Sequence, residues 1–426
     1  MLLQLSVMVS RKYFRLIGPQ SSKKDFAAFS FLLVNTLCWY FITLNVLDNL
    51  LTNLGGSAYQ TVVIKASYNL AIILSGFCGA FISTKIKRRD LLLIWIIFGI
   101  VASLLPFIIV ANSMESVTLF SAWFGFSFGF GMPSCLSYFT DGTVFESRAR
   151  SAGLIFFLAS LFAAVFVLSD ILSSGLLSIS FYLAIWRSSS LCILVLPNLR
   201  KIEANRTERT SFRTILGNRP FLFYLIPWSM FALVDALEKA YLQSYIQIAF
   251  GESFFSSNQF VETVIGSLSA LAGGFVADIV GRKRVVVYGF VSLGIAYAIV
   301  GLAPFAQLPW HFYSVVDGFA WGTFFVMFIF VIWGDLSPPK GTREKYFVLS
   351  SVPYFLAKVI GAIFLPLLRG FPKESTYATF SLAAFFLFLA VIPLMYAPET
   401  LPEKSIQDRE LRQYVEKAKK TKDKYI

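Results

Sequence analysis

Eight ionisable side chains interrupt stretches that are otherwise apolar: Lys65, Arg187, Asp235, Glu238, Lys239, Glu262, Asp317 and Lys358. An ionisable group inside hydrocarbon is costly unless it has a partner or a water-filled cavity, so such residues mark solute and ion pathways. Asp235, Glu238 and Lys239 are three and four residues apart, which places them on one side of a helix. A carboxylate at that depth can carry a proton, and a lysine there can attract an anion or hold the carboxylate ionised. The plainer alternative is a self-contained Asp235–Lys239 pair, with Lys65, Glu262 and Lys239 reaching for the interface. Other chemistries lack their residues. The lone His311 cannot build a haem or His-based metal centre, and Cys38, Cys78, Cys135 and Cys192 stand singly in apolar runs. No metal site and no cofactor is expected.

The elements that must hold these charges are set by composition. Of 426 residues, 57% are hydrophobic and 14% charged, and Phe alone occupies 46 positions. Soluble proteins carry about 25% charged residues. A water-soluble globule could not cover this much apolar surface, and a disordered chain of this composition would collapse. The chain therefore reads as an all-α polytopic membrane protein. Charge-free runs at 26–47, 91–114, 116–140, 151–169, 285–310 and 375–398 alternate with runs that hold one or a few charges, at 58–82, 174–198, 221–248, 258–277, 311–334 and 347–368. Each is near the ~20 residues that cross a bilayer, which gives twelve spans. Met1–Val9 is too short to span and does not read as a cleaved signal peptide. By helical rise, Lys358 and Asp235 sit about 18 and 21 Å into spans 11 and 7, and Arg187 lies about 20 Å into span 6. With both termini inside, the cytoplasmic segments hold 31 of the 37 Lys and Arg, so both termini are expected in the cytoplasm. The +13 net charge then faces anionic lipid headgroups, and no nucleic acid is implied.

The chain also repeats. Gly274-x-x-x-Asp278-x-x-Gly281-Arg282-Lys283 joins spans 8 and 9, and 195 residues earlier Gly79, Ser83, Ile86, Lys87 and Arg88 occupy the joint of spans 2 and 3. Asp335 and Arg343 follow span 10 as Asp141 and Arg148 follow span 4. The expected organisation is a tail (1–25), a six-helix bundle (26–198), a basic linker (199–220), a second six-helix bundle (221–398) and a basic tail (399–426). Parallel repeats of this kind are a transporter plan. Gly281 permits a tight turn, and Asp278 at the lipid boundary needs a basic partner or a helix N-terminus.

On these loops the sequence resembles the major facilitator superfamily. The 8–9 loop looks like its loop signature, the Asp-then-Arg loops are similar to its second signature, and Pro398-Glu399-Thr400 resembles a motif of sugar-porter-like members. In the 2–3 loop, Ser83 and Ile86 stand where the signature has Asp and Gly. The resemblance implies two pseudo-symmetric bundles, a cavity lined by spans 1, 4, 7 and 10, and a monomer. It implies that Asp278 and Arg282 latch the halves when the inner side is closed, with Gly274, Gly281, Asp335, Arg343, Asp141 and Arg148 in the same gating loops. The proline-glycine signature of drug/proton antiporters is absent from Ser151–Asp170.

The expected function is secondary active transport of a small molecule by alternating access in the cell membrane, proton-coupled, with a sugar or organic anion favoured. A drug or amphipathic-cation exporter and a transporter-like sensor without flux are the alternatives. A membrane enzyme lacks clustered catalytic groups, and no G-x-x-x-x-G-K-[ST] or G-x-S-x-G motif is present. Asp235, Lys358, Asp317, Glu238 and Asn35 are the expected substrate and proton pathway. Trp39, Trp123, Trp228 and Trp321 are candidates for stacking on a ring. The glycines Gly125, Gly129, Gly131, Gly318 and Gly322 read as sites of close helix approach.

Overall fold

The computed structural model describes residues 23–168, 175–195, 210–338, 343–368 and 376–401. Most of both basic tails, and residues 199–209 of the linker, lie outside this set, as does the side chain of Lys239. The described residues form helices and no strand. These are α1 (Lys23–Asn53), α2 (Ala58–Ile82), α3 (Arg88–Ile108), α4 (Met114–Gly142), α5 (Arg148–Leu168), α6 (Leu176–Ser189), α7 (Arg219–Phe250), α8 (Glu252–Val280), α9 (Arg282–Leu302), α10 (Gln307–Phe325), α11 (Arg343–Leu368) and α12 (Thr376–Leu389). α10 runs on through a π-helical turn, Val326–Val331, and a last α turn, Ile332–Leu336. α12 is continued by a short helix, Val391–Tyr396. With these continuations, eleven of the twelve are long and apolar enough to cross a membrane, and α6 belongs to a shorter apolar stretch, Leu176–Cys192. The chain is a multi-pass, all-α membrane protein.

Local sequence explains where these helices start and stop. Ser57 and Gln60 form a reciprocal cap on α2, and Ser113 and Ser116 do the same on α4. Gly251 and Gly281 take φ of 91° and 112°, so single residues turn α7 into α8 and α8 into α9.

Within each half, the most extensive packing is α2 on α4 and α8 on α10. Gly125 and Gly129 abut the carbonyls of Tyr68 and Ile72, and Gly318 and Gly322 abut those of Glu262 and Gly266. The glycines act as the close-approach reading expects. The two halves meet along α2 with α11 and along α5 with α8.

The repeat is more exact than the loop comparison suggests, and its register differs by one residue. Arg88 opens α3 as Arg282 opens α9, and each reaches the aspartate 53 residues onward. Equivalent residues here are therefore 194 apart, which pairs Gly79 with Gly273 and Arg88 with Arg282. Gly79 packs on α4 and Gly273 on α10, in agreement. In α4 and α10 the contact glycines are 193 apart, whereas Asp141 and Asp335 are 194 apart. The π turn at Val326–Val331 lies between those positions, and a π turn is a one-residue insertion. Large and small residues also trade places: the Trp95 ring fills the space beside Gly131, and at the equivalent positions Phe324 fills the space beside Gly289. The repeat thus preserves volume where it does not preserve identity.

Candidate functional site

Two features lie between the halves. One is an ion-pair layer at the end that carries the 2–3, 4–5, 8–9 and 10–11 loops, hereafter the basic end. The other is a cavity opening toward the opposite end.

In the ion-pair layer each aspartate holds one arginine from its own half and one from the other. Asp141 accepts from Arg88 at 2.8 Å and pairs with Arg343. Asp335 pairs with Arg282 and with Arg148. Arg148 also donates to the carbonyls of Thr140 (2.8 Å) and Thr143 (3.1 Å), and Arg282 to that of Phe145. Asp278, fully buried, receives the backbone N–H of Ala149 (3.2 Å) and Arg150 (2.9 Å) and the Arg150 side chain at 3.2 Å. It therefore caps the N-terminus of α5 from the opposite half, where the helix dipole favours negative charge. Gly274 lets α8 reach the Ala149 carbonyl of α5. Glu399, in the Pro398-Glu399-Thr400 segment, caps α9 in turn, accepting from the N–H groups of Arg282 (2.9 Å) and Lys283 (3.1 Å).

The structure thus brings together all eight residues expected in the gating loops, and it adds four that sequence reasoning gave no place in that layer. Arg88 was obscured by the one-residue slip in register. Arg150 and Glu344 each sit beside an expected arginine, and Glu399 belongs to a motif noted only for its resemblance. Gly281 is doubly constrained. Its φ is unfavourable for any side chain, and a Cβ there would lie 2.6 Å from the Glu399 carboxylate. Gly281→Leu is expected to cost about 1–3 kcal/mol in backbone strain. A thermal melt should show the loss as a lower Tm, while ligand affinity stays unchanged because the turn is far from the cavity.

The cavity has a volume of about 720 Å³ and is lined from both halves. Its mouth lies at the 1–2 turn (Gly55, Gly56), beside an exposed ion pair between Asp48 and Lys65 at 3.0 Å. Its walls carry Thr61, Tyr68, Asn69, Ser121 and Gln259, and Asp235 and Lys358 belong to the lining deeper in. The Asp235 carboxylate accepts from the Trp321 indole at 2.8 Å. The Lys358 ammonium lies 4.7 Å from the Tyr354 ring centre. Among the described residues, no carboxylate is within ion-pair reach of Lys358.

Asp235 and Lys358 line this cavity, and the other three pathway candidates do not. Glu238 accepts from the Tyr313 hydroxyl at 2.8 Å inside the second half, where Tyr297 lies 3.4 Å further on. Asp317 is buried beside the same two tyrosines. Asn35 is taken up by α6, with its amide on the Trp186 carbonyl and its Oδ1 accepting from Arg187 at 3.2 Å. Arg187 is held there over the Trp95 ring, 4.5 Å from its centre. Asn35 and Arg187 are a packing joint, which a polar-to-polar bond between two buried spans achieves at low cost. Of the four tryptophans, none lines the cavity; Trp228 stacks on Tyr354 and Phe328, beneath its floor.

Between cavity and ion pairs lies an aromatic layer. Tyr40 packs on Phe128 (4.4 Å between centroids), Phe156 on Phe325 (4.4 Å) and Phe139 on Phe330 (5.7 Å). It encloses an apolar space of only about 50 Å³, lined in part by Leu37, Met132, Ser351 and Phe355.

No family model and no curated protein sequence matches the chain. Solved structures do. The proton:xylose symporter XylE bound to 6-bromo-6-deoxy-D-glucose superposes with a TM-score of 0.66 at 15% identity, over 88% of this chain and 96% of that one. The human organic anion transporter MFSD10 (TETRAN) gives 0.63 at 14%, over 88% and 100%. The fucose:proton symporter FucP of E. coli gives 0.67 at 12%, over 88% and 98%. The chain shares the fold of these transporters: two six-helix halves, with a cavity between them.

Proposed function

We propose that the protein is a secondary transporter that works by alternating access, here in its outward-open form. The observation that carries this is the asymmetry between its ends. A cavity of about 720 Å³ opens at one end, and buried inter-half ion pairs knit the other. The positive-inside rule makes the knitted end cytoplasmic and the open end external. Asp235 is the proton carrier. Lys358, with an aromatic ring and no carboxylate beside it among the described residues, is the anchor for the solute. An organic anion therefore fits the cavity best. A sugar is the second reading, favoured by the hydroxyl and amide groups of Tyr68, Asn69, Ser121 and Gln259 on the walls. XylE and FucP are proton symporters by their descriptions, and MFSD10 an organic anion transporter.

The test is uptake into liposomes holding the purified protein, with an inward proton gradient and a panel of carboxylates, phosphate esters and sugars. Accumulation of a carboxylate or phosphate ester that collapses with a protonophore is the expected result. No flux of any panel member, although one of them raises the Tm, would turn the reading to a sensor.

A further inference from the structure

The two halves of the ion-pair layer are built differently, and the difference repairs the 2–3 loop. In the second half Arg282 faces two carboxylates, Asp335 and, at 3.5 Å, Asp278 at the end of α8. In the first half Arg88 also faces two, Asp141 and Glu344, the latter at 3.5 Å. Glu344 does not belong to the 2–3 loop. It is the second residue of α11, in the opposite half, and its side chain is 1% exposed. The chain positions that could match Asp278 hold Ser83 and Thr84, and α2 ends at Ile82, before either of them. The residue equivalent to Glu344, by the offset that relates Arg148 to Arg343, is Ala149. One half has a carboxylate on the loop and an alanine on the facing helix, and the other has a hydroxyl on the loop and a carboxylate on the facing helix.

We propose that Glu344 is a positioning residue of the inner gate, supplying across the interface the carboxylate that the 2–3 loop lacks. Burying an arginine without enough negative charge is costly, and a second carboxylate beside Arg88 offsets that cost. Delivery from α11 has a mechanical consequence. The Asp278–Arg282 contact lies within one half and survives when the halves part, whereas Arg88–Glu344 spans the interface and must break in every cycle. The first-half loop is therefore a working part of the gate despite its changed sequence. The proposal rests on the alternating-access reading, and its test reads conformation without needing the substrate.

The test uses full-length protein with its four native cysteines replaced by alanine and one reporter at a time. Ser351→Cys sits in the small apolar space on the side of the basic end, and Thr61→Cys sits on the cavity wall. Glu344→Gln is expected to raise alkylation at the first reporter by at least about ten-fold, and to lower it at the second, as the population shifts toward the inward-open form. Misfolding would raise both, so opposite signs separate a gate from a fold defect. Glu344→Asp, which keeps the charge, should restore much of the wild-type pattern. Glu344→Gln with an added Ser83→Asp or Thr84→Asp should restore it too, because either returns the carboxylate to the loop. Wild-type labelling in Glu344→Gln, or the same defect with aspartate at either loop position, would overturn the proposal. If the wild-type protein moves no solute while these labelling shifts appear, the transport reading fails and the role of Glu344 stands.

Discussion

Asp335→Asn is expected to lower transport by at least about ten-fold and to open the basic end to water-soluble reagents. The carboxylate is fully buried and shared by Arg148 and Arg282, themselves 2% and 0% exposed, from opposite halves. Asparagine keeps the shape and one acceptor oxygen but removes the charge, so two guanidinium groups then face each other across the interface. Removing one member of a buried pair costs about 3–5 kcal/mol, because the charge left behind is uncompensated. The two conformations of an alternating protein differ by only a few kcal/mol, so this loss suffices to change which one is populated. The fold should survive. Arg148 keeps the Thr140 and Thr143 carbonyls, and Arg282 keeps Phe145 and Asp278. Asp48→Asn at the cavity mouth is the internal control. That pair is 60% and 43% exposed, and exposed pairs are worth about 0–1 kcal/mol, so its transport should change little. Alkylation of Ser351→Cys and initial uptake rate check both variants. Unchanged labelling in Asp335→Asn would mean that the ion pairs do not hold the basic end shut.

The contrast between these two aspartates shows what was legible in the sequence. Hydropathy and loop charge located twelve apolar helical segments, eleven of them long enough to cross among the described residues, because each physical cause is local: an apolar run and basic residues at its ends. The ion-pair residues stood out for the same reason, since Asp141 and Asp335, and Arg148 and Arg343, recur at offsets of 194 and 195. What the sequence could not show is which half each arginine serves. Asp335 holds Arg148 from 187 residues away, and only the packing of α5 on α8 brings them together. The register of the 2–3 loop was missed by one residue, because basic residues stand side by side at Lys87 and Arg88 and at Arg282, Lys283 and Arg284, so the chain alone does not say which of them correspond. Depth was a weaker guide. Asp235 and Glu238 lie one turn apart on the same side of α7, yet Asp235 reaches the cavity while Glu238 turns to Tyr313. Rotation about a helix axis decides this, and a helix with apolar residues on every side does not declare its rotation.

That difference makes Asp235 and Lys358 separable by experiment. In Asp235→Asn the Trp321 indole keeps an acceptor in the place where it now donates at 2.8 Å, so the cavity wall should hold its shape. The negative charge and the exchangeable proton are lost. Accumulation driven by a proton gradient should disappear, while counterflow, which exchanges loaded solute for solute and needs no net proton movement, should persist. Lys358→Ala acts on the other side of the same cavity. A hydrogen bond to a charged group contributes about 1.5–3 kcal/mol, so the KM for a carboxylate or phosphate ester should rise by roughly ten- to a hundred-fold. The KM for a neutral sugar should not move. The two defects are of different kinds, one in coupling and one in affinity, so each can be scored in the presence of the other. Equal loss of accumulation and counterflow in Asp235→Asn would place Asp235 in solute binding. A carboxylate that binds Lys358→Ala as well as it binds the wild type would leave the ammonium a structural partner of the Tyr354 ring. With both roles intact, a solute that arrives as an anion meets its counter-charge on α11 of the second half, the helix whose first turn holds Glu344 against Arg88 of the first. Binding site and gate would then sit on one rigid element, and a pull on one end of it would be felt at the other.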